Sequence, residues 1–129
     1  MKTNEKIESN KTWQLAKKIM QQVRKTVERV PYEEHYSFGT MPMQYSTQLI
    51  TSVAMAVGKG KEAGYDWRYG RGQLFALRGL LIAGEEQGSL KTDTALMSSL
   101  DSLQAVLEAE IAKAEADRAM EGKQKSKGK

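Results

Sequence analysis

Hydrophobic residues recur with a helical period in four separate segments of the chain. In the first segment, the apolar positions are separated alternately by three and four residues. They are Trp13, Ala16, Met20, Val23, Val27 and Val30. This spacing places them on one face of an α-helix, as in the seam of a helical bundle. The pattern predicts a first helix from about Asn10 to Arg29. Pro31 ends it, because the residue before a proline is pushed out of the helical region.

A short aromatic segment separates the first helix from the second. The residues PYEEHYSFG, from Pro31 to Gly39, predict a connecting loop. Thr40 is the predicted N-cap of the second helix, and Pro42 suits its first turn. The helix extends to about Val57, and the glycine-rich run GKGKEAG ends it. Its predicted buried positions are Met43, Ser46, Ile50, Val53 and Val57.

The third helix lies within DWRYGRGQLFALRGLLIAGEEQG, from Asp66 to Gly88, and leaves few positions for water. Its predicted seam is Trp67, Gly70, Leu74, Leu77, Leu81 and Gly84. A second row contains only the small residues Gly72, Ala76, Gly79 and Ala83. A third row mixes arginine with apolar residues, namely Arg68, Arg71, Phe75, Arg78 and Ile82. An ordinary surface helix needs only one apolar stripe, which the seam already supplies. The second and third rows therefore need another explanation.

Two explanations fit these extra rows. The third helix packs against a second partner, either another copy of the chain or another protein, or it is the most central helix of a monomer. Small side chains let another backbone approach closely, and the mixed arginine row suits a protein interface. We expect a homo-oligomer whose interface contains Gly72, Phe75, Gly79 and Ile82.

The fourth helix extends from about Asp93 to Met120 and has an acidic outer face. Its predicted seam is Leu96, Leu100, Leu103, Leu107, Ile111 and Ala114. No alternating strand pattern appears in the sequence. Four amphipathic helices with short connections predict an all-α fold, an up-down four-helix bundle. The predicted organisation is a flexible N-terminus over residues 1–9, the bundle over residues 10–121 and a disordered basic tail over residues 122–129.

Composition narrows the class of protein. The 129 residues include no cysteine, which excludes a disulfide framework and fits a reducing compartment. The N-terminal residues lack the apolar core of a secretory signal. The longest uncharged stretch, residues 35–58, has too short an apolar part to span a bilayer. We expect a soluble, cytoplasmic protein with no membrane partner.

The formal net charge of +4 is unevenly distributed along the chain. Residues 1–30 contain eight basic and three acidic side chains, whereas residues 89–122 contain three basic and seven acidic ones. The final segment KQKSKGK adds four lysines. These lysines form either a solubilising terminus or an electrostatic arm for an anionic polymer.

One face of the first helix is basic and rich in amides, without an acid. It consists of Lys11, Gln14, Lys18, Gln22, Lys25 and Arg29. Such a stripe is either a solvated outer face or a row of phosphate contacts. The predicted nucleic-acid-binding residues are Lys11, Lys18, Lys25 and Arg29, with Lys59, Lys61, Arg71 and Arg78 added. The two arginines contribute only if an oligomer leaves them in an open channel. In the alternative, Arg78 forms an intersubunit ion pair with a glutamate of the fourth helix.

The residues that perform catalysis are sparse. His35 is the only histidine, and nothing in the sequence assigns it a nucleophile. The adjacent Glu85 and Glu86 point about 100° apart on a helix, which is typical of a solvated helix end. A di-metal bundle needs Glu-x-x-His pairs, which are absent. We expect a non-enzymatic protein with no metal or cofactor, and we keep a small enzyme built around His35 and nearby tyrosines as an alternative.

Two stretches resemble a known family of four-helix bundles. TWQLAKKIMQQVRKTVERVPYEEHYSFG is similar to the opening of proteins encoded in ribosomal RNA intervening sequences. It is more similar still to the accessory variability determinant proteins of diversity-generating retroelements. The stretch FALRGLLIAGEEQGSL resembles the family pattern before the fourth helix, with matching residues Arg78, Leu80, Leu81, Ala83 and Glu86. The second helix, TQLITSVAMAVGKG, departs from the intervening-sequence pattern, and LQAVLEAEIAKAEADRA departs from that of the accessory proteins.

The resemblance implies a ring-shaped homopentamer with a basic surface that binds nucleic acid. For the accessory branch, it implies a scaffold that holds a reverse transcriptase and its template RNA together during mutagenic cDNA synthesis. DNA is the alternative ligand. Two other functions remain: an intervening-sequence protein, or a plain protein-interaction bundle that binds no nucleic acid.

Overall fold

The structure, a computed structural model, describes residues 2–127, with side chains through Lys123. The five α-helices are α1 (Thr3–Glu8), α2 (Lys11–Val27), α3 (Met41–Lys59), α4 (Gly64–Glu86) and α5 (Thr94–Lys127). Two 3₁₀ turns, Tyr32–Glu34 and Gly60–Glu62, and the π-helical segment Tyr36–Thr40 lie between them. No strand occurs among these described residues. The predicted all-α class is confirmed.

The four long helices pack as a bundle of neighbours. Helices that follow one another in the chain pack together, most extensively α3 with α4, and α5 also packs against α2. The α4–α5 pair is antiparallel, because Arg71 pairs with Glu108 while Arg78 pairs with Asp101, seven residues earlier in α5. The four helices that the hydrophobic pattern predicts therefore correspond to α2–α5, and they enclose one core.

The predicted seams of α4 and α5 are confirmed. The leucines at the centre of the core are at most 1% exposed; they are Leu74, Leu77, Leu81, Leu96, Leu100, Leu103 and Leu107. The seam glycines are buried as well. A Cβ added at Gly84 would lie 2.8 Å from the Leu90 side chain and 3.0 Å from that of Phe38. A glycine is therefore required where the turn after α4 folds back onto the helix.

The predicted seam of α2 is confirmed only in part. Ala16 and Val23 are fully buried, as is Ile19 beside the predicted seam, whereas Trp13, Met20, Val27 and Val30 are only partly buried. The helix begins where the pattern predicts. The side chain of Asn10 accepts a hydrogen bond of 3.0 Å from the backbone N–H of Trp13, which satisfies one of the free donors of the first turn.

The predicted buried face of α3 is partly wrong. Ser46, Val53 and Val57 are buried as expected, but Met43 and Ile50 are only partly buried. The residues that the pattern misses are Leu49, Ser52 and Ala56, all at most 3% exposed. No charged residue occurs between residues 41 and 58, so the sequence does not mark the outer face of this helix.

Two predictions for the segment before α3 are wrong. Residues 31–39 are not a loop but contain a 3₁₀ turn and a π-helical turn that continues into α3. Thr40 has helical backbone angles and no side-chain cap, because the helix has already begun before it. Pro42 does lie in the first turn of α3, as predicted. Gly60 ends α3 with a φ of 67°, a conformation that glycine adopts readily.

Both ends of the chain contain more helix than the sequence predicts. The N-terminus, predicted to be flexible over residues 1–9, contains the short helix α1, and Ile7 packs against the core. The predicted disordered tail begins at Gly122, yet α5 continues through Lys127. The remainder of that tail, residues 128 and 129, lies outside the described residues.

Candidate nucleic-acid interface

The outer face of α2 brings four of the predicted binding residues together. Lys11, Lys18 and Lys25 recur every seven residues, and Arg29 follows just beyond the helix. All four are exposed. A spacing of seven residues returns to nearly the same face of a helix and advances about 10 Å along its axis. The row from Lys11 to Arg29 therefore has a length of about 27 Å.

The structure adds two cations that the predicted stripe omits. Lys17 and Arg24 are also exposed, and they lie seven residues apart beside Lys18 and Lys25. These two cations could have been predicted from the sequence, because Lys17 and Arg24 have the same seven-residue spacing as Lys18 and Lys25. From Lys11 to Val27 the chain contains no acidic residue, and no ion pair found among residues 2–127 involves α2. We call Lys11, Lys17, Lys18, Arg24, Lys25 and Arg29 the α2 basic face.

The two arginines of α4 have a different environment. Nη1 of Arg71 donates to Oε2 of Glu108 at 3.2 Å, and Nη2 of Arg78 donates to Oδ1 of Asp101 at 2.5 Å. Both acids belong to α5 of the same chain. The prediction that these arginines bind nucleic acid required an open channel without acidic partners. Their pairing removes that condition, and it also replaces the intersubunit pair considered for Arg78 with a pair inside the chain.

Lys59 and Lys61 also differ from each other. Nζ of Lys59 lies 3.1 Å from Oδ2 of Asp66, although hydrogen-bond geometry is met only at Oδ1, at 3.4 Å. The Asp66 side chain is only 1% exposed, so Lys59 neutralises a buried carboxylate at the α3–α4 connection. Lys61 is exposed and lines a groove with Thr12 at the start of α2. Lys61 therefore lies at the same end of the molecule as Lys11.

A cleft at the other end of α2 contains a further cation. It has a volume of about 710 Å³, and Lys25, Arg29 and Lys91 contribute to its lining. Lys91 belongs to the turn between α4 and α5, so the folded chain brings it beside residues more than sixty positions earlier. Two acids, Glu28 and Asp93, also line this cleft, and the carboxylate of Asp93 accepts a hydrogen bond of 2.7 Å from the N–H of Leu96. The cleft therefore adds Lys91 to the cations near the end of α2, in a mixed-charge lining.

The outer face of α4 is apolar and open. Phe75 is 47% exposed and Ile82 is 50% exposed. A Cβ added at Gly72 or Gly79 would meet no atom within 4 Å. The two glycines of the small-residue row therefore have no close neighbour within the described part of the chain, whereas Ala83 of the same row packs against the core.

Residues suited to other chemistry do not converge. His35 is exposed, and no hydrogen bond to another side chain was found for it within residues 2–127. Glu85 accepts a hydrogen bond of 3.1 Å from Thr92, which is a contact between a helix end and the following turn. Side chains able to hold a metal ion do not form a group of three or more among the described residues. The geometry adds no support to an enzyme centred on His35.

A search of protein-family models found no match to this chain, and a search of curated protein sequences found none either. The described helices include none that combines the length and the apolar character required to cross a membrane. The fold agrees with the resemblance at the level of a compact helical bundle. Neither comparison identifies a family or a function for the chain.

Proposed function

We propose that the protein is a non-enzymatic nucleic-acid-binding accessory protein that binds RNA through the α2 basic face. The observation that supports this proposal is the concentration of six exposed cations on and just beyond α2, none of which forms an ion pair with another residue that the structure describes. Phosphate contacts require cations that are free to exchange counterions for the polymer. The α2 basic face meets this requirement, whereas the paired arginines of α4 do not.

The geometry favours binding that tolerates different sequences. Lysines outnumber arginines on the α2 basic face, and they act as flexible point charges that suit phosphates better than base edges. The row is about 27 Å long, which covers roughly eight nucleotide steps at the 3.4 Å rise of a duplex strand. Affinity then comes from several weak contacts distributed over one helix.

The resemblance extends the proposal to partners. The protein would act as the accessory variability determinant of a diversity-generating retroelement, holding a reverse transcriptase and its template RNA together. It would do so as a homo-oligomer, a ring-shaped pentamer by the resemblance. The exposed apolar residues Phe75 and Ile82, with Gly72 and Gly79 beside them, supply a surface for the subunit contact. Five copies would also multiply the positive charge presented to RNA.

Salt dependence tests the RNA-binding proposal directly. If all six cations of the α2 basic face contact phosphates, the slope of log affinity against log salt should be about −4 for a single strand, from about −0.7 per contact. Titrations of a fluorescent oligoribonucleotide between 50 and 300 mM potassium chloride, roughly the range where this effect is large, would measure the slope. A slope near zero would refute the proposal.

The exposed α4 face also favours a second function, a protein-interaction bundle that binds no nucleic acid. In that case the α2 basic face is simply solvated. Co-purification separates the two functions. Nucleic acid that remains bound at low salt and dissociates at high salt supports RNA binding, and a nucleic-acid-free preparation that fails to shift any oligonucleotide supports the plain interaction module.

A further inference from the structure

A shallow cleft on the α2 basic face contains an aromatic ring among polar groups. Its volume is about 490 Å³, and its lining residues are Glu8, Trp13, Gln14, Lys17, Lys18 and Gln21. Phosphate binding alone requires only the lysines. The indole and the two carboxamides are therefore the features of this cleft that need another explanation.

Trp13 lies at the boundary between the core and the solvent. It packs partly against the buried cluster, and the ammonium of Lys17 lies 5.6 Å from the centroid of its ring. A cation over the ring is held there by the ring's electron density, at a gain of about 0.5–1 kcal/mol for an exposed pair. Such a contact is weak enough for a stronger stacking partner to displace it. Where Lys17 lies over it, the ring of Trp13 is thus covered by a flexible side chain.

The amides beside the ring have free hydrogen-bonding groups. Gln14 and Gln21 are exposed and seven residues apart, so they flank Lys17 and Lys18 on the same face. Nε2 of Gln14 donates to the backbone carbonyl of Glu8 at 2.8 Å, which leaves its oxygen as an acceptor and orients the side chain toward the cleft. Carboxamides can donate to and accept from base edges, and aromatic rings stack on base faces.

We propose that this cleft holds one unpaired nucleobase, stacked on Trp13, while Lys17 and Lys18 contact its flanking phosphates. This inference rests on the proposed RNA binding and adds a preference for single-stranded over duplex nucleic acid. Bases within a duplex are already stacked and paired, so only an unpaired base presents a free face to the indole. The carboxamides of Gln14 and Gln21 lie where they can contact the base edge.

Substitutions at Trp13 test the stacking contact. Trp13→Leu keeps an apolar side chain against the core but removes the aromatic face, whereas Trp13→Phe retains a ring. The probes are a uridine dodecamer, a twelve-base-pair RNA duplex and inorganic polyphosphate of similar charge. We expect Trp13→Leu to weaken binding of the uridine dodecamer about tenfold. Its binding to the duplex and to polyphosphate should be unchanged, and Trp13→Phe should restore most of the loss.

Thermal melts of both variants show whether the fold is intact. Fluorescence provides a second measurement. The chain contains two tryptophans, so Trp67→Phe leaves Trp13 as the single one. Quenching of its fluorescence by the uridine dodecamer then reports stacking on Trp13 without changing that residue. Unchanged affinity for the dodecamer in Trp13→Leu, or an equal loss for all three probes, overturns the base contact while phosphate binding stands. Absence of binding to every probe overturns the proposed function, and the stacking inference with it.

Discussion

The helices α2 and α4 both present positive side chains on their outer halves, but the neighbouring helix gives these charges different roles. Arg71 and Arg78 are seven residues apart, as are Lys18 and Lys25. The arginines pair with acids of α5 at the matching antiparallel spacing, whereas neither lysine pairs with an acid among the described residues. The same seven-residue spacing therefore produces two ion pairs between α4 and α5, but a solvent-exposed set of cations on α2.

This difference explains what could be predicted from the sequence. Positions along one helix follow from its period, and the basic stripe of α2 was found in that way. The partners of Arg71 and Arg78 depend on which helix lies beside α4 and in which register, and neither is encoded in the spacing within α4. The sequence indicates only that the fourth helix has an acidic outer face, and the structure shows that Glu108 and Asp101 on it are the partners.

The core shows the same limit. Periodicity identified the buried residues of α4, where arginines and glutamates mark the outside. It was less successful for α3, whose apolar and hydroxyl residues surround the helix. Ser46 and Ser52 are buried there at low cost, because their hydroxyls donate to the carbonyls of Met43 and Gln48 in their own helix, at 2.9 and 2.7 Å. Without charged positions, several faces of α3 fit the core equally well.

The largest expected effect follows from reversing charge on the open surface. We expect Lys18→Glu with Lys25→Glu to weaken RNA binding about a hundredfold at low salt and to reduce the magnitude of the salt slope by about 1.4, from about 0.7 for each lost contact. Stability should change little because both side chains are exposed and neither forms an ion pair with another described residue. The matched control is Lys113→Glu with Arg118→Glu, which changes the net charge equally on α5. Equal losses in the two variants would show that only the total charge matters.

The apolar face of α4 should determine assembly. If it is the subunit interface, Gly79→Glu should convert the oligomer to a helical monomer, because a buried unpaired carboxylate is costly. Light scattering and circular dichroism would measure the two properties. Lys91→Glu offers a control at an exposed site away from this face. A monomeric wild-type protein at micromolar concentration would contradict the prediction of self-assembly.

The ion pairs of Arg71 and Arg78 with α5 should affect stability and not RNA binding. Arg78→Glu places a carboxylate against Asp101, and the side chain of residue 78 is only 18% exposed, so we expect a loss of about 2 kcal/mol in the free energy of unfolding. Urea denaturation would measure it. The double variant Arg78→Asp with Asp101→Arg should recover part of the loss by restoring opposite charges. No recovery would indicate that packing of the Arg78 stem, and not its charge, is what stabilises this site.

The smallest effect separates the two lysines at the α3–α4 connection. Lys59→Met leaves the carboxylate of Asp66 buried without its cation, so we expect a loss of about 1–2 kcal/mol, less than for a fully buried pair because Lys59 is half exposed. Lys61→Met is the matched control and should leave the unfolding free energy unchanged within about 0.5 kcal/mol. Equal stability of the two variants would show that water, and not Lys59, solvates Asp66.

The helix α5 consists of a first part that packs in the core and a C-terminal part that is exposed. Ala114 lies beside Gly64, at the beginning of α4, and residues 115–123 are all exposed. From that point, the thirteen residues from Glu115 to Lys127 continue α5 for about 20 Å. Their helical state depends on local propensity, whereas the earlier part of α5 is stabilised by the leucines of the core. On heating, the end of α5 should lose its helix gradually while the bundle still unfolds as one cooperative unit.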